Sequence, residues 1–137
     1  MSKRVEELFL FDIVVSILKI KYIINKFDSP IDLKYDFIHW DSVIREYEII
    51  GEATNNLLKS DILDKKHRVV VDFRNVLIHA YFGISEDEVW DISQSFLDEY
   101  LELILLKIDK NRDLVDEIIR ENSHLPFVIE FLSKHFN

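Results

Sequence analysis

An all-α fold, an antiparallel bundle of four to five helices, follows from three features of the sequence. Only two glycines and two prolines occur in 137 residues, which is too little turn chemistry for a many-stranded sheet. Apolar residues recur at spacings of three and four over long stretches, the period of a helix with one buried face. With 48% hydrophobic and 31% charged residues the composition is that of a globular chain, and its length suits a domain with a real core. No internal repeat, linker or low-complexity tract marks a boundary. Residues 1–137 therefore read as a single domain, with an extra C-terminal helical segment from about residue 111.

The first helix is expected over Lys3–Phe27. Val5, Leu8, Phe9, Ile13, Ile17, Ile20 and Ile24 set its stripe, which Phe11, Val14, Val15, Leu18 and Tyr22 widen. A helix apolar on more than one face needs cover on more than one side, from another helix of the chain or from a second subunit. Leu8–Ile24 is interrupted by Asp12, Lys19 and Lys21 and is followed by no small-residue cleavage site, so neither a membrane span nor a signal peptide is expected. The expectation is a soluble, cytoplasmic protein without membrane association. The absence of cysteine fits a reducing compartment and excludes thiolate catalysis and zinc–thiolate sites.

Ser29-Pro30 supplies an N-cap and a first helical residue for a short turn over Ile31–Phe37. A second main helix is expected from about Trp40 to Lys59, with Val43, Tyr47, Ile50 and Leu57 on one face and Ile44 and Leu58 beside it. Gly51 lies in its middle, where glycine costs about 1 kcal/mol relative to alanine, so a neighbouring helix is expected to approach closely there. Asp61–Asp64 is a short connection. The third helix, Lys65–Tyr81, is expected to turn Val69, Phe73, Val76 and Ala80 to the core and to stop at Gly83 as a C-terminal glycine. Ser85 and Glu88 form a capping box for a fourth helix reaching about Lys110, striped by Trp90, Leu97, Leu101, Ile104 and Ile108. Leu114–Phe136 supplies a fifth segment that Pro126 kinks or divides.

The third helix carries the candidate chemistry. Within Arg74-Asn75-Val76-Leu77-Ile78-His79-Ala80-Tyr81, an always-charged guanidinium, a group that exchanges protons near neutral pH and a phenol share one apolar segment. That set suits cleavage of a phosphodiester. His79 serves as general acid or base, and Arg74 stabilises the charge that grows on the phosphorus oxygens. Asn75 and Tyr81 bind or orient the substrate. RNA brings its own nucleophile, the 2′-hydroxyl. The motif holds no carboxylate beyond the neighbouring Asp72, so neither a metal site nor any cofactor is expected. On an ideal helix Arg74 and His79 lie about 140° apart. Either the helix loosens near His79, or two copies face each other across a two-fold axis and line one cleft together.

The formal net charge of −9 argues against a nonspecific nucleic-acid coat. One basic island stands out, with Lys65, Lys66, Arg68 and Arg74 against the single carboxylate Asp72 between positions 65 and 79. Structural readings compete at each motif residue. Arg74 pairs with Asp72 or a glutamate, His79 caps its helix, and Tyr81 buries its ring. Arg45, Glu48 and Glu52 read as a salt-bridged surface stripe. His39, His67, His124 and His135 have no ligand spacing and read as surface or cap residues. Glu86-Asp87-Glu88 suits a helix N-terminus.

The stretch resembles the R-x4-H-x-Y motif of the HepT-like toxins, which belong to the HEPN superfamily of helical ribonucleases. The resemblance extends to Ser2-Lys3-Arg4, to Val43-Ile44-Arg45 with Glu48-Ile49-Ile50-Gly51-Glu52-Ala53, to Phe73–Ile84 and to Val89-Trp90, and covers roughly residues 2–108. It implies a HEPN-like bundle that forms a homodimer with the motif at the interface cleft. It further implies a metal-independent ribonuclease toxin with an RNA substrate and a cognate MntA-like nucleotidyltransferase antitoxin, which in some systems AMPylates the motif tyrosine, here Tyr81. The alternative is a non-catalytic nucleotide-binding or docking module for that partner, and a third reading is a purely structural helical dimer. Ala80 stands where the family often has glycine, and Asp109–Asn137 exceeds the resemblance.

Overall fold

A computed structural model of the protein describes residues 1–80 and 83–137. The elements are α1 (Lys3–Ile24), α2 (Pro30–Tyr35), α3 (Phe37–Lys59), a 3₁₀ turn (Lys65–His67), α4 (Arg68–Ala80), α5 (Glu86–Gln94), α6 (Phe96–Lys107), α7 (Arg112–Glu121) and α8 (Pro126–His135). No strand occurs among the described residues. The expected bundle is present. Its four layers are α1, α3, α4 and the pair α5–α6, with α1 packed on α3 and α6, and α3 packed on α4.

Local signals set most boundaries. Ser29 accepts the Asp32 N–H, with Pro30 following as the first helical residue, and Ser85 accepts the Glu88 N–H. α3 ends in a Schellman motif: Ile62 N–H reaches Leu57 O at 3.0 Å and Asp61 N–H reaches Leu58 O at 3.2 Å. Asp61 takes the left-handed position of that motif, at φ 60°, a conformation that aspartate tolerates better than most residues. Gly83 does not play the same part after α4. Neither glycine has positive φ, and Gly83 N–H simply closes back on Ala80 O at 2.6 Å.

The expected fourth helix is two. It breaks at Ser95, where the backbone reaches φ −115°. Ser93 and Ser95 both turn their hydroxyls back onto carbonyls four residues earlier, Val89 at 2.7 Å and Asp91 at 2.8 Å, a pattern that loosens and bends helices. Ser93 also meets the Tyr47 hydroxyl of α3, and one helical layer on, Thr54 of α3 meets the Tyr100 hydroxyl of α6 at 2.6 Å. These two buried pairs satisfy the phenols inside the core. Burial raises both phenols, with Tyr100 pushed up to about 12 against the opposing effect of its hydrogen bond to Thr54.

α1 starts its buried stripe later than its spacing suggests. Val5 is exposed, while Leu10, Phe11, Ile13, Val14, Ile17, Leu18, Ile20 and Ile24 are buried. The width of that stripe is met within the chain. Pro126 divides the tail as expected, and α8 returns antiparallel to α1, setting Phe136 against Phe11 at 5.7 Å and stacking Phe127 on Tyr22 at 4.4 Å. Arg4 pairs with Glu117 at 2.7 Å. The buried Glu7 accepts the Asp109 N–H at 3.2 Å, and burial holds its carboxyl above the usual range. Leu114, Val115, Ile118, Val128, Leu132 and Phe136 thus join the main core, and the chain itself supplies cover for the broad stripe of α1.

Leu132→Ala, at a fully buried tail position, is expected to lower unfolding free energy by about 2–5 kcal/mol in denaturant titration. The raised phenols carry a pH signature. The unfolded chain ionises tyrosine at its ordinary value of 10.0, while folded Tyr100 stays protonated to about 12, so stability falls as pH climbs through that interval. Tyr100→Phe should flatten that alkaline slope in melts recorded between neutral and alkaline pH.

Candidate active site

The site begins with a glycine. A methyl group added at Gly51 would collide with the Cβ and Cγ of Arg74 and come within 3.4 Å of its Nε. The close approach expected at this glycine is therefore made by α4, and the side chain that uses the space is the motif arginine. Arg74 is half-buried between the two helices. Its Nη1 donates to Asn75 Oδ1 at 3.1 Å, while its Nε is buried without a hydrogen-bond partner among the described residues. It forms no ion pair with Asp72 or with a glutamate among them, so the purely structural account of Arg74 has no counterpart here. A seated guanidinium with donors left over is suited to an incoming anion, because burying such a group without a partner is otherwise costly.

Seating Arg74 on Gly51 also sets the rotation of α4, and corrects the expected core edge. Val70, Val71 and Leu77 are buried, Phe73 and Ala80 are half-buried, and Val69 and Val76 are 60% and 52% exposed. Positions 70, 74 and 77 repeat with the same helical period as 69, 73 and 76, displaced by one residue, about 100° around the axis. An all-apolar row is the better match to a buried stripe, but the glycine opposite Arg74 rewards the other setting. Phe73 then lies edge-on to Tyr47 at 5.3 Å and lines an apolar cavity of about 180 Å³ with Ile50, Ile92 and Phe96.

His79 projects from the exposed side of α4. The helix continues without interruption through Ala80, so the loosening that would carry His79 round to Arg74 is absent from the described residues. Asn75 falls between the two around the axis, bonded to the arginine and four residues before the histidine. Arg68, Asp72, Asn75 and His79 share one exposed polar face, and Val69 and Val76 form an exposed apolar row beside it. Tyr81, the fourth expected site residue, lies outside the described residues.

The surroundings refine the other sequence readings. Lys34 of α2 reaches Ile84 O at 3.4 Å and Glu86 Oε2 at 3.0 Å, tying α2 to the segment that follows the motif. Glu86 is held below the usual carboxylate range by its own backbone N–H and by Lys34. Arg45 pairs with Glu48 at 3.4 Å on the surface, as the structural reading has it. His67 is not a surface residue. It is buried in the 3₁₀ turn and stacks on Tyr100 at 5.8 Å. Arg68 was not singled out as a site residue from the sequence, yet its Nη1 donates to Asn55 Oδ1 of α3 at 3.4 Å.

Comparison with known proteins gives concordant matches. A family model described as "Ribonuclease HepT-like" matches residues 13–106. A protein of Methanocaldococcus jannaschii named "Putative RNase MJ0127" is 30% identical over 130 residues, spanning 88% of this chain and 93% of the relative. A second from the same organism, "Putative RNase MJ1380", is 36% identical over 95 residues, spanning 67% of this chain and 86% of the relative. No solved structure gives a significant match.

Gly51→Ala tests the seat directly. The added methyl must displace Arg74 or part the helices, and the expected cost is about 1–3 kcal/mol in denaturant titration. Gly51→Ala combined with Arg74→Ala should recover only part of that loss, because the second change removes the Cγ and Nε but keeps the Cβ that the methyl meets first.

Proposed function

This chain belongs to the HepT-like ribonuclease family of the HEPN superfamily, and from that premise we propose that it is a metal-independent endoribonuclease toxin, active as a homodimer and restrained by a nucleotidyltransferase antitoxin of the MntA type. The observation that carries this reading is the division of α4. Arg74 faces inward with an unpartnered Nε, His79 faces outward, and an exposed apolar row runs beside the histidine. One straight helix cannot bring its own Arg74 and His79 together. A second copy docked on Val69 and Val76 lets each protomer complete the other's site.

The chemistry follows from the substrate. The RNA 2′-oxygen attacks the adjacent phosphorus while the bond to the 5′-oxygen breaks. A base takes the 2′-hydroxyl proton and an acid returns one to the leaving 5′-oxygen, giving a 2′,3′-cyclic phosphate and a 5′-hydroxyl. The two His79 imidazoles of a dimer supply base and acid, and Arg74 stabilises the extra negative charge on the phosphorane. Asn75 holds the guanidinium in register. Transfer of AMP from ATP to the Tyr81 oxygen, with release of pyrophosphate, would add negative charge and bulk beside this cleft and oppose RNA entry.

The net acidity favours a second reading, in which the chain is a non-catalytic docking module for the nucleotidyltransferase. The two are separated by purified protein free of any partner. Cleavage of RNA in the presence of EDTA supports the nuclease, and its absence alongside a stable complex that retains nucleotidyl transfer supports the module. His79→Ala is expected to cut activity by about 10²–10⁴ with the fold retained by circular dichroism, as the residue is exposed. Arg74→Ala is expected to cost about 10²–10³ in kcat. Mixing wild-type protein with excess His79→Ala should silence it, because a heterodimer keeps one imidazole where the reaction needs two. A mixture that keeps activity in proportion to its wild-type protomers, with heterodimers present by native mass spectrometry, rejects the shared site.

A further inference from the structure

The ribonuclease reading leaves open how so acidic a protein holds a polyanion. Seven lysine and arginine side chains are held in ion pairs with carboxylates. None of these seven lies between positions 65 and 74. Lys65, Lys66 and Arg68 are exposed at the start of α4 and form no ion pair among the described residues. The one polar contact of the Arg68 guanidinium there is the neutral Asn55 amide. The nearby Asp64 is already engaged, capping the 3₁₀ turn by accepting the Lys66 N–H at 3.2 Å and facing His67 Nδ1 at 3.5 Å.

Geometry joins this cationic group to the candidate centre. Eleven residues separate Arg68 from His79, which is three helical turns. They share a face to within about 20° and stand about 16 Å apart along the axis. That span corresponds to a few nucleotides of strand. A groove of about 580 Å³ lined by Leu58, Asp61, Leu63, Asp64, Lys65 and Arg68 opens at the same end. Asn75 lies on the same face, and Asp72 is the carboxylate that α4 itself contributes to it.

We infer that Lys65, Lys66 and Arg68 form a phosphate-binding track that positions single-stranded RNA along the exposed face of α4, with the scissile phosphodiester at His79. The inference rests on the ribonuclease reading and assigns these residues to positioning, not to the bond-breaking step. It accounts for the clustering of Lys65, Lys66, Arg68 and Arg74 within ten residues of chain, whereas the other cations outside the ion pairs, Lys19, Lys26, Lys59, Lys107, Lys110 and Arg120, are spread over separate elements. Asp72 acts against the track, and so tunes affinity downward.

The test uses a 2′-O-methyl RNA dodecamer, which lacks the nucleophile and stays uncut. Its binding to the full chain is measured across a range of salt concentrations. The combined Lys65→Ala, Lys66→Ala and Arg68→Ala variant should bind roughly tenfold more weakly, and its log–log salt slope should be shallower by about 2, the change for three lost phosphate contacts on a single strand. Asp72→Asn should shift affinity the other way, and Lys110→Ala, an exposed cation on the tail side, should leave it unchanged. With cleavable RNA the triple variant's loss should fall in KM more than in kcat. If the triple variant keeps wild-type affinity and slope while the wild-type protein cuts RNA in EDTA, the track is wrong and the nuclease reading stands. If the wild-type protein neither binds the dodecamer nor cuts RNA, both fall together.

Discussion

The seat of Arg74 against Gly51 is the contact on which the site depends. A glycine in the middle of α3 is unfavourable for that helix taken alone, by about 1 kcal/mol. It is tolerated because any side chain there would occupy the space of the arginine's Cβ and Cγ. The same contact fixes three things together: the distance between α3 and α4, the rotation of α4 about its axis, and the half-buried position of the guanidinium.

From that rotation the rest of the surface follows. Turning Val70, Arg74 and Leu77 inward leaves Arg68, Asp72, Asn75 and His79 as an exposed polar face and leaves Val69 and Val76 uncovered beside it. The tail works in the opposite sense at the other side of the bundle. α8 packs on the broad apolar surface of α1, and the buried residues of α7 and α8 join the same core. The motif helix leaves Val69 and Val76 in water beside the face that carries His79, which is why the second copy is proposed there.

The charge distribution and the chemistry point the same way. An acidic surface repels RNA in general, whereas Lys65 and Lys66 of the 3₁₀ turn and Arg68 and Arg74 of α4, with no ion-pair partner among the described residues, lead toward His79. Electrostatic attraction confined to one face orients a flexible polyanion and leaves little affinity elsewhere. The reaction then asks for a proton acceptor, a proton donor and a fixed positive charge, and all three are available without a metal if two protomers share one cleft.

Much of this was legible from residue order. The helical class, the Ser29-Pro30 and Ser85 starts, the division at Pro126, the motif residues and their 140° separation, and the meaning of a mid-helix glycine are local properties, encoded in spacing and capping. Three features were not. The break at Ser95 arises where Ser93 and Ser95 bond back to earlier carbonyls and Ser93 also meets Tyr47 from another helix. The cover of α1 required knowing that α8 folds back antiparallel to it. The inward face of α4 was read as Val69, Phe73, Val76 and Ala80 because that row is wholly apolar, yet the row containing Arg74 turns in. Periodicity states which residues share a side of a helix. Which side faces the core is settled by the shape it meets, and here that shape is the gap at Gly51, supplied by a residue more than twenty positions away.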